Sequence, residues 1–401
     1  MRILLINDVA RYVNGGGNRV VVETLEGLHA RGMTVGCIYH SGESQLHSGI
    51  WSRRVDDRQP TESMRAQMLQ AIEAFQPDLI QSHSTQVMES YPDWIDRIPS
   101  AQFVHDESWF CSGGNRVDRN LHHCNRPHGL ACLPLHYTTG CGGRSPIGNW
   151  MRWRLVASRL RARGYRHLQI QVASRFMRRG FQENGFPEDR LAVIPLYSTT
   201  PAIELPVEPG LVVAPARLVH HKGIDVLIRA LHGLRDIPWR LAVPGDGPER
   251  ERLSGLIGEL GVESRVVLPG ELHPDDVDRW YAKAQLVAFP VLREEPFGLV
   301  GVEALAHGKP IVAFAGGAVE EWLWPGETGL SVTEKTPEAL GKALGSLLRD
   351  PDRCVAMGQA ARKRFAAFTR DAYLDRLLAH FTQVRNQFLR IQPQMDPDRR
   401  G

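Results

Sequence analysis

Glu295 and Glu303 stand with seven residues between them, and Pro296-Phe297-Gly298-Leu299 fills the start of the gap. The sequence predicts a turn at Pro-Phe-Gly, then a helix that carries Glu303 in its early turns and stops at Gly308, then the apolar strand Ile311-Val312-Ala313. The first amides of such a helix have no internal partner and can bind an anion. Ionised carboxylates only accept hydrogen bonds, so two of them suit the hydroxyls of a sugar or ribose attached to a phosphate rather than the phosphate itself. The pattern reads as a site for a sugar nucleotide. A glutamate at a helix start can also be a simple cap or dipole partner. That explains either residue alone, but neither the Pro-Phe-Gly-Leu between them nor the Gly308-Lys309-Pro310 that follows.

Arg217 and Lys222 follow the apolar run Leu211–Ala214 and precede a helix from Gly223. Two cations in a strand-to-helix loop are placed to meet a diphosphate and to stabilise the charge growing on it as it leaves. A divalent metal often does this job. No Asp-x-Asp pair in a suitable loop is present; Asp275, Asp276 and Asp278 sit at a helix start, where acids complement the dipole. A reaction without a metal or other catalytic cofactor is therefore expected. Gly15-Gly16-Gly17, between the first strand and the first helix, is either a tight turn of small residues or a loop that lets phosphates approach. It is not the G-x-G-x-x-G of a dinucleotide site, and the second strand ends Tyr39-His40 with no acid for a ribose, which argues against nicotinamide or flavin. His105-Asp106 ends the strand-like run Ala101–Val104; alone, a histidine is a weak signal.

Cys111, Cys124, Cys132 and Cys141 fall in a segment, 106–145, rich in Gly, Asn, Arg and His. Such a segment cannot build its own apolar core. A structural zinc on four thiolates, two crosslinks, or free thiols are the three readings; the spacing lacks a C-x2-C pair, and the cytoplasm disfavours disulfides. Further on, Trp150, Trp153, Val156 and Leu160 share a predicted helical face, with Arg152, Arg159, Arg163 and Arg166 mostly elsewhere. This is an ordinary helix packed on its domain or a basic amphipathic helix in peripheral contact with a membrane.

These pieces together resemble the retaining glycosyltransferases of family four, which have the GT-B fold. Glu295 to Glu303 is similar to the family's E-x7-E signature. Gly15 to Val20 resembles its GG-x-x-R loop, Pro77 to His83 its P-D-[VI]-[VI]-x-x-H strand, and Ala216-Arg217-Leu218 through Lys222-Gly223 its G-R-L…K-G motif. Gly245-Asp246-Gly247-Pro248 and Gly316-Gly317 also match. The resemblance covers roughly residues 1 to 390. It implies two Rossmann-like parallel α/β domains facing a central cleft, and transfer of a hexose-type sugar from a UDP- or GDP-sugar to a hydroxyl of a glycan or lipid-linked acceptor, as in bacterial cell-surface polysaccharide or glycolipid synthesis. It also implies roles. Glu303 would hold the ribose and Glu295 a sugar hydroxyl. The backbone amides of Phe297, Gly298, Leu299 and Val300 would face sugar and diphosphate, and Gly15 and Gly16 would approach donor and acceptor. His105 would hold the sugar by hydrogen bonding, and the cysteine insert would overhang the acceptor side. Other readings of the pattern are a transferase acting on a small metabolite, a phosphorylase or epimerase, and a sugar-nucleotide-binding protein without activity.

The elements that must position these residues alternate as strands and helices. Ile3–Ile6 and Val35–Tyr39 read as strands, and Asn18–Arg31 as a helix stopped at Gly32. A second series of strands is predicted at Leu211–Ala214, Arg240–Val243, Arg265–Leu268, Leu286–Phe289 and Pro310–Phe314. Alternation of this kind implies parallel sheets covered on both faces. The expected domains are 1–200 and 207–368, joined by a Pro-rich stretch, with a helix over 369–390 crossing back to the first and a frayed tail from Gln392. At 401 residues two domains fit the length. A formal net charge of +3 gives no argument for nucleic acid. No apolar run is long enough for a signal peptide or a span, so a cytoplasmic protein is expected.

Overall fold

The computed structural model describes residues 1–11, 16–56, 61–84, 94–199 and 203–391. Gly15, part of the linker at 200–202 and the tail 392–401 lie outside them. The chain divides into two compact units. The first comprises Met1–Arg119, Cys124–Leu196 and Arg370–Gly401; the second comprises Asn120–His123 and Tyr197–Thr369.

In the first unit the order is β1 (Arg2–Val9), α1 (Gly16–Ala30), β2 (Thr34–Ser41), β3 (Trp51–Arg54), α2 (Thr61–Phe75), β4 (Leu79–Ser82), β5 (Ser100–Val104), α3 (Cys132–Thr138), α4 (Pro146–Leu160), β6 (Leu168–Val172), α5 (Arg175–Glu183) and β7 (Leu191–Val193). The sheet runs β3-β2-β1-β4-β5-β6-β7, with Ile3 opposite Val35 on one side and Leu79 on the other. Parallel strands need crossovers, and helices over both faces bury the central strands. That is why Ile3 to Ile6 is an unbroken apolar run, all four residues fully buried.

In the second unit the order is β8 (Leu211–Val213), α6 (Ile224–His232), β9 (Arg240–Pro244), α7 (Arg250–Glu259), β10 (Val266–Gly270), α8 (Pro274–Lys283), β11 (Leu286–Phe289), α9 (Leu299–Ala306), β12 (Ile311–Phe314), β13 (Gly329–Val332), α10 (Pro337–Leu348) and α11 (Pro351–Phe365). Its sheet is β10-β9-β8-β11-β12-β13, again parallel. The chain builds outward from β8 to β10, then returns to lay β11 beside β8. The loops after β8 and β11 therefore diverge to opposite faces and leave a crevice at their carboxyl ends, the usual ligand position in such sheets.

The last helix, α12 (Arg370–Ile391), belongs to the first unit. Tyr373, Leu374, Leu377, Phe381, Val384 and Phe388 recur at helical spacing and are buried. Arg31, in the turn just after α1, reaches Asp371 at 2.9 Å and Asp375 at 2.6 Å. A buried polar chain also ties it down: Gln81 donates to Gln171 at 2.6 Å, and the Gln171 amide lies 2.9 Å from His380 Nδ1.

Burial holds His380 down to a pKa of about 4, and His105 and His221 are also held at about 4. The unfolded chain protonates these rings near their ordinary value of 6.5, while the folded chain resists until about pH 4. Across that window the unfolded state binds more protons, so stability is full above pH 6.5 and is lost as pH falls toward 4. The urea midpoint followed by circular dichroism should drop steadily between those pH values, and less steeply in His380→Gln.

Candidate functional site

The crevice between β8 and β11 collects the predicted cations and one of the two predicted glutamates. A pocket of ≈ 190 Å³ is lined by Ala216, Arg217 and Lys222 from the loop after β8, by Phe289 and Val291 from the end of β11, and by Val300 from α9. Arg217 is exposed at its rim. Lys222 Nζ donates to Glu295 Oε2 at 3.0 Å, both side chains being mostly shielded from solvent. Lys222 also stands 5.8 Å from the centroid of Phe289, a cation–π distance. His221 next to it is kept neutral, by burial first and then by the charges of Arg293 and Lys222.

Two glycines fix this arrangement. Gly223 has φ +67°, and a Cβ there would lie 2.0 Å from the Pro290 carbonyl oxygen, so no other residue lets the Lys222 loop approach β11 this closely. Gly317, at φ +62°, packs against the backbone of Glu295, where a Cβ would come within 2.4 Å of its nitrogen. The amide of Ala318 then donates to the Glu295 carbonyl at 2.9 Å.

Helix α9 opens at Gly298 with no side-chain cap and no acid in its first turn. The amides at Leu299 and Val300 thus begin the helix beside the pocket, where an external anion suits them. Phe297 is buried as a side chain, and its carbonyl accepts a 2.6 Å hydrogen bond from Trp322 Nε1. Only its backbone is left for a ligand. Trp322, fully buried, pins the turn ahead of α9, and sequence reasoning missed it.

Glu303 sits one turn into α9, and Tyr281 of α8 donates to its Oε2 at 2.6 Å. Tyr281 in turn stacks on His307, whose Nε2 lies 3.2 Å from Asp278. Burial and the Glu303 charge push the Tyr281 hydroxyl well above its ordinary pKa, so it stays a donor. Its hydrogen bond orders the carboxylate before any ligand arrives. Tyr281→Phe should raise the donor KM about fivefold with little change in kcat, the loss of about 1 kcal/mol from one charge-assisted hydrogen bond. An unchanged KM would remove Tyr281 from this role.

In the first unit, α1 begins at Gly16 after β1. At the carboxyl ends of β4 and β5, His83 Nδ1 and His105 Nε2 lie 3.0 Å apart with the rings stacked. Burial and their mutual repulsion keep His83 well below its ordinary pKa; burial brings His105 to about 4 despite Asp106 and Asp8. Two neutral imidazoles thus share one hydrogen bond, and His105 can offer a ligand only its other nitrogen.

The cysteine insert is held by hydrogen bonds. Ser112 Oγ and His136 Nε2 lie 2.8 Å apart, Arg116 Nε donates to the Cys124 carbonyl at 2.7 Å, and Asn149 bonds both backbone groups of Gly143 at 2.8 Å. Burial raises the Cys111 and Cys141 thiols, and Cys124 and Cys132 push Cys141 further. All four are unpaired. Among the described residues no group of three His, Cys, Asp or Glu side chains is arranged to hold a metal ion. The face expected for α4 is corrected. Val156 and Leu160 are buried in the core with Trp153 half-covered, whereas Trp150 points away from them into solvent.

Solved structures share the fold across the chain. Sucrose-phosphate synthase from Thermosynechococcus elongatus superimposes with a TM-score of 0.72 at 20% identity, covering 96% of this chain and 99% of that one. Anabaena HepE in complex with UDP gives 0.71 at 19% identity, covering 96% and 100%. Two parallel α/β units of this kind define the GT-B class. Residues 14–196 match the family model described as Glycosyltransferase Family 4, and residues 199–364 match Glycosyl transferases group 1. The chain therefore belongs to the family 4 type of glycosyltransferases. Among curated relatives, the GDP-mannose-dependent alpha-(1-6)-phosphatidylinositol monomannoside mannosyltransferase of Mycolicibacterium smegmatis is 39% identical over 159 residues, 38% of this chain and 42% of its own. D-inositol 3-phosphate glycosyltransferase 1 of Catenulispora acidiphila is 36% identical over 187 residues, 44% of each chain. The matched region thus spans less than half of these relatives.

Proposed function

We propose that this protein is a retaining glycosyltransferase that moves a hexose-type sugar from a UDP- or GDP-sugar to a hydroxyl of a glycan or lipid-linked acceptor, in the synthesis of cell-surface polysaccharide or glycolipid. The observation that carries this reading is the convergence of Arg217, Lys222 and Glu295 with the uncapped start of α9 at the β8/β11 crevice. The diphosphate lies against Arg217, Lys222 and the Leu299 and Val300 amides, which stabilise its charge as the glycosidic bond breaks. Glu303, ordered by Tyr281, takes the ribose hydroxyls, and Glu295 takes a sugar hydroxyl. His105 supports the sugar through a hydrogen bond. No side chain is assigned as a covalent nucleophile. The acceptor attacks from the face the leaving phosphate vacates, and that phosphate receives the acceptor proton. The relatives named above use GDP-mannose in one case, and a structural neighbour holds UDP, which supports a nucleoside diphosphate donor and leaves the base to experiment.

A thermal-shift screen tests the site. UDP or GDP, or their sugars, should raise the melting temperature by mass action, and EDTA should leave both the shift and the turnover intact because the two cations do the metal's work. Turnover lost at once in EDTA and restored by magnesium or manganese would contradict the metal-independent reading.

A further inference from the structure

Between Arg119 and Gln182 the chain carries twelve arginines and no aspartate, glutamate or lysine. The chain as a whole is only +3, so this segment holds +12 and the remainder −9. The same segment carries most of the exposed apolar bulk. Of ten large hydrophobic residues exposed among the described residues, six fall within 130–155: Leu130, Tyr137, Ile147, Trp150, Met151 and Leu155. Four of them lie on α4 at positions i, i+3, i+4 and i+8, one face of a helix. Asn149, Val156 and Leu160 occupy the opposite face and are buried. Ile147 is 72% exposed and Met151 61%, so this stripe is not the rim of the core. Arg154 stacks over Trp150 at 4.7 Å, and Arg126, Arg144, Arg152 and Arg161 are exposed. Helix α3, with Tyr137, packs on α4, and Trp153 Nε1 donates to the Gly129 carbonyl at 2.9 Å, tying the Leu130 turn to the same helix.

We propose that this face docks the protein on an anionic lipid bilayer. Ile147, Trp150, Met151 and Leu155 enter the interfacial layer with α4 lying in the plane of the membrane, and the exposed arginines meet headgroup phosphates. Charge complementarity selects a polyanionic surface. The three aliphatic side chains of the stripe select lipid over nucleic acid, which would use the arginines and aromatic faces and gain nothing from Ile147, Met151 or Leu155. No helix of the described residues is long and apolar enough to cross a membrane, so the contact is peripheral. The surface shares no residue with the donor site, and the inference does not depend on that reading.

The test is co-sedimentation of the full chain with phosphatidylcholine vesicles, either pure or containing about 30% phosphatidylglycerol, at low and high salt. Binding should require the anionic lipid and weaken with salt. Ile147→Ser/Met151→Ser/Leu155→Ser and, separately, Arg126→Gln/Arg144→Gln/Arg154→Gln should each lower the partition coefficient about tenfold or more. Both sets lie on exposed positions, so the far-UV circular dichroism and nucleotide binding should be those of the unmutated protein. The proposal is overturned if the protein ignores anionic vesicles, or if the apolar triple variant binds them undiminished. It is also overturned if the face binds single-stranded RNA through the arginines alone, or serves only to pair two copies of the chain in sedimentation velocity.

Discussion

Lys222→Ala should cut kcat about 100-fold, some 2.7 kcal/mol of activation free energy, because it removes a donor aimed where charge develops on the departing diphosphate. Arg217→Ala at the pocket rim should cost less, and the two together less than the product of their separate effects, since both serve one charge. Lys222 also neutralises Glu295 across 3.0 Å in a mostly shielded position. Its loss strands that carboxylate and should lower stability by about 1–3 kcal/mol. Adding Glu295→Gln should recover stability without recovering turnover, which separates the two roles of the lysine. A Lys222→Ala enzyme that folds well and turns over normally would remove the cation from the reaction.

Glu303→Ala should raise the donor KM by tenfold or more, equivalent to about 1.4 kcal/mol, because a buried ribose hydroxyl would lose its charged acceptor. A donor lacking the ribose hydroxyl that Glu303 accepts should show the same penalty with the unmutated enzyme, and no further penalty with the variant. That non-additivity distinguishes ribose recognition from a general loosening of α9. Equal, independent losses would assign Glu303 to the helix rather than to the ligand.

The strands that carry the site were legible because burial on both faces leaves an unbroken apolar run. Leu286–Phe289 is the strand expected, and Leu211–Ala214 differs by one residue at its end. The last helix, expected over 369–390, runs Arg370–Ile391. Two of the edge strands were not legible. Trp51–Arg54 and Gly329–Val332 are short and only partly buried, so their residues need not be apolar. Glu295, Glu303, Arg217 and Lys222 could be singled out because backbone constraints surround them: Gly223 and Gly317 leave marks in the sequence that a packing residue does not. Tyr281 and Trp322 leave no such mark. Each acts through one hydrogen bond across a long sequence separation, Tyr281 to Glu303 and Trp322 to the Phe297 carbonyl, and a lone buried aromatic reads as core. The α4 face was misjudged for a related reason. Apolar residues line both sides of that helix, and spacing alone does not say which side meets the core.

The most direct measurement follows the anomeric proton of a UDP- or GDP-hexose by NMR while the enzyme acts on it in the presence of a hydroxyl acceptor. The proposed retaining transfer predicts release of the nucleoside diphosphate and a product that keeps the anomeric configuration of the donor, with the signal change slowed about 100-fold by Lys222→Ala. A product of inverted configuration, or a Lys222→Ala enzyme that consumes donor as fast as the unmutated protein, would contradict it.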